Sequence, residues 1–194
     1  MLWPSDIPWR SGTVDDKALY KLKQNLIEEH LENVEVEKGL VDDPKLPNDS
    51  LDAALIINAY HEMSAHEAML RHIRKALKQN GRLVLMERIS NQLESLSREE
   101  QTKVHQLGTN FAEHELEEAG FEVLELHDPF LELTDASNGK SRWWLILARK
   151  RKPLRNLFNA PLGHYWMANK CRIPLTVTPF PSKICGAVAV SWNC

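Results

Sequence analysis

The residues whose types and spacing could do chemistry gather between Asp42 and Glu87. Asn58-Ala-Tyr60-His61-Glu62 places an amide, a phenol, an imidazole and a carboxylate within five positions. A neutral imidazole can take a proton near pH 7, so His61 is the candidate general base or substrate contact, and Tyr60 is the second catalytic candidate beside it. The plainer reading of His61 is a loop histidine that bonds only to its neighbours. Asp42 and Asp43 precede Pro44 and could simply form a turn. His61, Glu62 and His66 are spaced H-E-x-x-x-H, not the H-E-x-x-H that sets two histidines on one helix face, so no metal is expected. His72, His105 and His114 fall in helical stretches with charged neighbours and read as solvated. The three cysteines, Cys171, Cys185 and Cys194, are odd in number and show no CxxC spacing, which argues against a zinc site or a disulfide framework.

The elements that must position these residues follow from periodicity. Leu19, Leu22 and Leu26 form one stripe of a helix that Asp15 or Asp16 can cap. Asn33 to Glu37 alternates as a short strand does. Leu51 to Ile57 is nearly continuous apolar sequence, the mark of a strand buried on both faces of a parallel sheet, and Asn58 to Met63 forms the loop at its carboxyl end. Ser64-Ala-His-Glu67 reads as a capping box, Leu70, Ile73 and Leu77 repeat at helical spacing, and Asn80-Gly81 supplies the stop. Leu83 to Met86 is a second buried strand. A further capping box at Ser97-Arg-Glu-Glu100, a helix over 111–119 closed by Gly120, and strands over 121–126 and 142–149 complete the pattern. The order predicts a three-layer α/β sheet, mostly parallel. Residues 1–12 read as an irregular leader, 13–150 as the α/β domain, and 151–194 as an irregular basic tail whose removal leaves the domain folded.

The block LPNDSLDAALIINAYHEMSAHEAMLRHIRKALKQNGRLVLME, residues 46–87, resembles the central stretch of class I S-adenosylmethionine-dependent methyltransferases. So does Glu115-Leu-Glu-Glu-Ala-Gly-Phe-Glu122, which is similar to that family's helix-to-strand turn. Together the motifs cover about residues 13 to 150 and recur in the family's order. The resemblance implies a Rossmann-like α/β/α fold, S-adenosylmethionine as cofactor and a small-molecule methyl acceptor. It implies that Asp42 or Asp43 receives the adenine amino group, and that Asn58, Tyr60 and His61 line the cleft near the donor's methionine part and the substrate. The ribose acid would be Asp15 or Asp16, though Asp16 serves equally as a helix cap. Glu87-Arg88 is expected in a loop at the same edge. One family feature is missing: the glycine-rich turn after the first strand. The eight glycines stand at 12, 39, 81, 108, 120, 139, 163 and 186, with no two within ten residues. The first strand is therefore expected to be absent, as in a truncated or alternatively spliced product, and donor binding to be weak.

All 27 acidic residues lie at or before Asp135 with 14 of the 24 Lys and Arg residues, and the other ten basic residues lie beyond it. An acidic body does not suggest a nucleic-acid binder, since phosphate contacts need a basic face, though the basic end could touch anions. No apolar run is long enough to span a bilayer, so a cytoplasmic protein with no membrane partner is expected. Three function classes stand at this point: a methyltransferase, an inactive methyltransferase-derived interaction module, and another nucleotide-dependent Rossmann-like enzyme.

Overall fold

The computed structural model describes residues 9–135, 139–152 and 187–190. Their elements, in chain order, are β1 (Trp9–Thr13), α1 (Asp16–Glu28), β2 (Val34–Lys38), β3 (Leu51–Ile57), α2 (His66–Ala76), β4 (Leu77–Ser90), α3 (Arg98–Thr102), α4 (Thr109–Glu118), β5 (Phe121–Asp135), β6 (Gly139–Lys150) and β7 (Ala187–Val190). The seven strands form one sheet in the order β2-β1-β7-β3-β4-β6-β5. The pairs β1/β2, β1/β7, β3/β7 and β3/β4 are parallel. β6 runs antiparallel to both β4 and β5. The α/β, mostly parallel architecture read from the sequence is the one observed, with Leu51–Ile57 and Leu83–Met86 as neighbours.

Crossovers between parallel strands are right-handed. The step from β1 to β2 and the step from β3 to β4 move in opposite directions along the sheet, so α1 and α2 lie on opposite faces. β5 runs parallel to β4, which puts α4 on the α2 side. The core lies there. Met69, Leu70, Ile73 and Ala76 of α2 are buried at spacings of one, three and three, the stripe of an amphipathic helix. They pack with Leu51, Ala54 and Ile56 of β3, Leu83 and Leu85 of β4, and Ala112 and Leu116 of α4. No residue of α1 is buried, and Leu19, Leu22 and Leu26 are half-covered.

Several expectations change. β1 begins at Trp9, inside the stretch read as leader, because its backbone pairs with Val34 to Lys38 although its sequence has no periodicity. Leader residues 1–8 lie outside the described residues. The tail reading of 151–194 is corrected at Ala187–Val190, which is a strand shared by β1 and β3. The strand between β1 and β3 is thus supplied by a later segment. The rest of the tail reading, and that of the three cysteines, lies outside the described residues. The capping box at Ser64 does not form: Ala65 is the N-cap, with no side-chain bond, and the helix starts at His66. The box at Ser97 and Glu100 forms in both directions. α2 ends at Ala76, and Leu77 turns extended to pair with Leu51, four residues before the expected stop. At the end of α4, Gly120 takes φ +85°, a left-handed conformation suited to glycine, and Arg74 Nε donates to its carbonyl at 3.0 Å.

Candidate functional site

Parallel strands bring their carboxyl ends to one edge, the edge where open α/β sheets hold ligands. Among the connections that leave that edge are Val14–Asp15 after β1, Gly39–Ser50 after β2, and Asn58–Ala65 after β3. Asp15 is the helix cap, its Oδ1 accepting from Lys17 N at 2.6 Å and Ala18 N at 3.4 Å. Asp16 lies in the first turn of α1 and accepts from Lys38 Nζ at 2.5 Å. After β2, Leu40 N donates to Asp43 O at 2.7 Å, which closes a turn. Both carboxylate oxygens of Asp43 are held by Lys45, one by its N–H at 2.8 Å and the other by its ammonium at 2.9 Å. Those bonds keep the Asp43 carboxyl below its usual range. Asp42 is exposed. Asn58 takes φ +51° and donates its N–H to Met86 O at 2.8 Å, so the chain turns sharply as it leaves β3. A small crevice at this edge is lined by Gly12, Thr13, Gly39, Leu40, Pro44 and Met69, among others.

The turn Tyr60–Glu62 carries the polar cluster, and here the structure departs from an open cleft. Tyr60 is fully buried, and its hydroxyl donates to Glu115 Oε2 at 2.7 Å. Burial first, then the Glu115 charge and hydrogen bond, push its pKa far above the ordinary range, so the phenol stays neutral. Tyr60 is therefore packed in the core and does not line a cleft. Arg98 Nε also donates to Glu115, at 2.5 Å, and the guanidinium stands 5.9 Å from the Tyr60 ring centroid. Glu87 lies within β4 and not in the expected loop, with no exposed surface. It accepts from Tyr60 N at 2.5 Å, His61 N at 3.3 Å and the His61 ring at Nδ1, 2.9 Å away. On the other side of the ring, His61 Nε2 is 3.0 Å from Glu62 Oε1. Burial alone would lower the His61 pKa, but the hydrogen bonds and charges of Glu87 and Glu62 outweigh it and raise it. Held in this way, the His61 ring is engaged by a carboxylate on each side.

His105, read as a solvated helix residue, lies just beyond α3 with φ +56°. Its Nδ1 bonds to Glu62 Oε1, and its ring stands 5.6 Å from that of His61 at 76°. Sequence spacing could not reveal this contact, because the partners are 43 residues apart. His114 is exposed and paired with Glu118 one helical turn away, whereas His72 is half-exposed, its Nδ1 3.6 Å from Asp43 Oδ1.

A model of the methyltransferase domain matches residues 12–85. No curated protein matches the chain. Among solved structures, a SAM-dependent methyltransferase from Aquifex aeolicus shares 16% identity over 72% of this chain and 66% of its own, with a TM-score of 0.55. A SAM-dependent methyltransferase from Methanosarcina mazei shares 14% over 76% of this chain and 84% of its own, at 0.58. The 4+2 cyclase SpnF shares 17% over 75% and 66%, at 0.60. The chain thus spans just under two thirds of the length of the first and last of these. The match over residues 12–85 and the shared fold bear out the resemblance carried by the Leu46–Glu87 block. The cyclase shows that this fold also houses a differently named chemistry. Among the described residues, no helix is long and apolar enough to cross a membrane.

Proposed function

We propose, on the premise that residues 12–85 carry the methyltransferase domain, that this chain is an S-adenosylmethionine-dependent methyltransferase acting on a small molecule. The observation that carries this reading is the domain match itself, which runs from β1 into β4 and so includes three loops of the ligand edge. When bound, S-adenosylmethionine supplies a methyl group on a sulfonium that is already activated for displacement. The protein's task is then to hold donor and acceptor in line, and positioning alone can supply several orders of magnitude.

The residues present fit one half of that donor. Asp42 suits the adenine amino group better than Asp43, whose two oxygens are already engaged by Lys45. Asp16 is the candidate for the ribose hydroxyls, with Lys38 as its competing partner. Asn58 and His61 would stand toward the methionine part and the acceptor. The described residues offer no glycine-rich turn whose backbone amides could meet the donor's carboxylate. Losing two or three such bonds, at about 1–3 kcal/mol each, corresponds to roughly 10²- to 10⁵-fold in affinity.

Calorimetric titration of the full chain with S-adenosylhomocysteine tests the reading. Weak, saturable binding is expected, abolished by Asp42→Ala and largely kept by Asp43→Ala. Absence of binding up to the solubility limit would overturn it. The missing glycine turn would then favour the second reading, a methyltransferase-derived interaction module.

A further inference from the structure

We propose that His61, Glu62 and His105 form a binding site for a divalent transition-metal ion of the zinc class, with Glu87 as the buried carboxylate that orients His61. The site does not depend on whether the chain binds a methyl donor. One ligand atom from each of the three residues lies within 4.8 Å of the others. His61 Nε2 and Glu62 Oε1 are 3.0 Å apart, close to the roughly 3.3 Å between neighbouring ligands around tetrahedral zinc. Two imidazoles and one carboxylate are a zinc-type set that leaves a fourth position open, whereas magnesium and calcium prefer all-oxygen sites.

Two features outside the triad mark it as built. The first is Glu87. Metal-binding histidines usually donate their second ring N–H to a carboxylate, which fixes the tautomer and aims the other nitrogen at the ion. Glu87 takes the His61 Nδ1 side at 2.9 Å and is itself held by the N–H of Tyr60 at 2.5 Å. That leaves Nε2 toward Glu62. The second is the seating of His105. The chain just after it is tied to the sheet. Gln106 Oε1 accepts from Ser90 N at 2.7 Å, Leu107 N donates to Arg88 O at 3.1 Å, and Trp144 Nε1 donates to Leu107 O at 2.7 Å. Gln101, also buried, accepts from Gly108 N at 2.8 Å. These bonds hold the His105 backbone at a fixed distance from His61. The His105 side chain is 59% exposed, which leaves the site open to an ion and to an oxygen ligand in the remaining position.

The test is titration of the full chain with cobalt(II), followed by its visible absorption, and with zinc by calorimetry. Both are done on the natural sequence and on a variant with Cys171, Cys185 and Cys194 changed to serine. One equivalent is expected in both, with the intense bands of a tetrahedral nitrogen–oxygen site. His105→Ala, at an exposed position that should not disturb folding, should abolish the cobalt spectrum, and Glu62→Gln should do the same. Glu87→Gln should weaken zinc binding by about 10- to 100-fold. His72→Ala and His114→Ala should change nothing. No saturable binding, binding undiminished by His105→Ala, or binding lost with the cysteines would each overturn the proposal.

Discussion

Glu87 has no exposed surface, yet three N–H groups converge on it: the backbone of Tyr60 and His61, and the His61 ring. Removing one member of a buried, charge-assisted set leaves its partners without water or protein to replace it. Glu87→Ala is therefore expected to destabilise the chain by about 3 kcal/mol or more, and Glu87→Gln, which keeps the shape and one acceptor oxygen, by less. Thermal melting checks this, with a fall of roughly 6–12 °C expected for the alanine variant. At the residue scale the sequence was legible where the signal is local. Asp15 as the cap of α1 and the reciprocal Ser97/Glu100 box were readable from type and spacing. His61 was readable as a residue of interest from its place after an apolar strand. Its neighbour Glu62 shares its turn, but Glu87 and His105 were not readable as partners, because they reach it from within β4 and from the segment after α3. The open-cleft role for Tyr60 failed for the same reason: nothing near it in sequence announces Glu115, 55 positions away.

The two well-formed helices on opposite faces of the sheet are held differently. Leu70 and Ile73 of α2 are fully buried against β3 and β4, and truncating such a side chain leaves a cavity. Ile73→Ala should lower stability by about 2–5 kcal/mol. Leu22→Ala in α1, where no residue is buried, should lower it by clearly less, in proportion to the smaller apolar area removed from water. Denaturant unfolding of the two variants decides this, and equal losses would mean that α1 is anchored as firmly as α2. Strand and helix identities came from periodicity because burial on one face imprints itself directly on residue spacing. Element ends were less legible. α2 gives way at Leu77 to a strand, since Leu77 gains a backbone partner in Leu51 that the local helical pattern cannot foresee.

Across the whole molecule, β7 joins the β2–β1 pair to β3 and the strands beyond it. Deleting residues 153–194 takes away that shared strand and exposes two unpaired edges at once. Such edges promote pairing between molecules. Truncation after Lys152 should therefore weaken or abolish the cooperative melting transition and raise aggregation, the reverse of what the tail's composition suggests. Melting and size-exclusion chromatography check this. A truncated chain that stays monomeric with an unchanged midpoint would mean that β7 contributes nothing to holding the sheet together.

By itself the sequence determined the fold class, the succession of β2 to β6 along the chain, the helix between β3 and β4, and the resemblance in the Leu46–Glu87 block. These are properties of residue spacing along single elements, and the chain carries them wherever it lies. Tertiary structure decided which strand stands between β1 and β3, that Tyr60 turns inward to Glu115, and that His105 meets His61 and Glu62. Those contacts join segments far apart in the chain, and their free energy arises only once the sheet has brought the segments together.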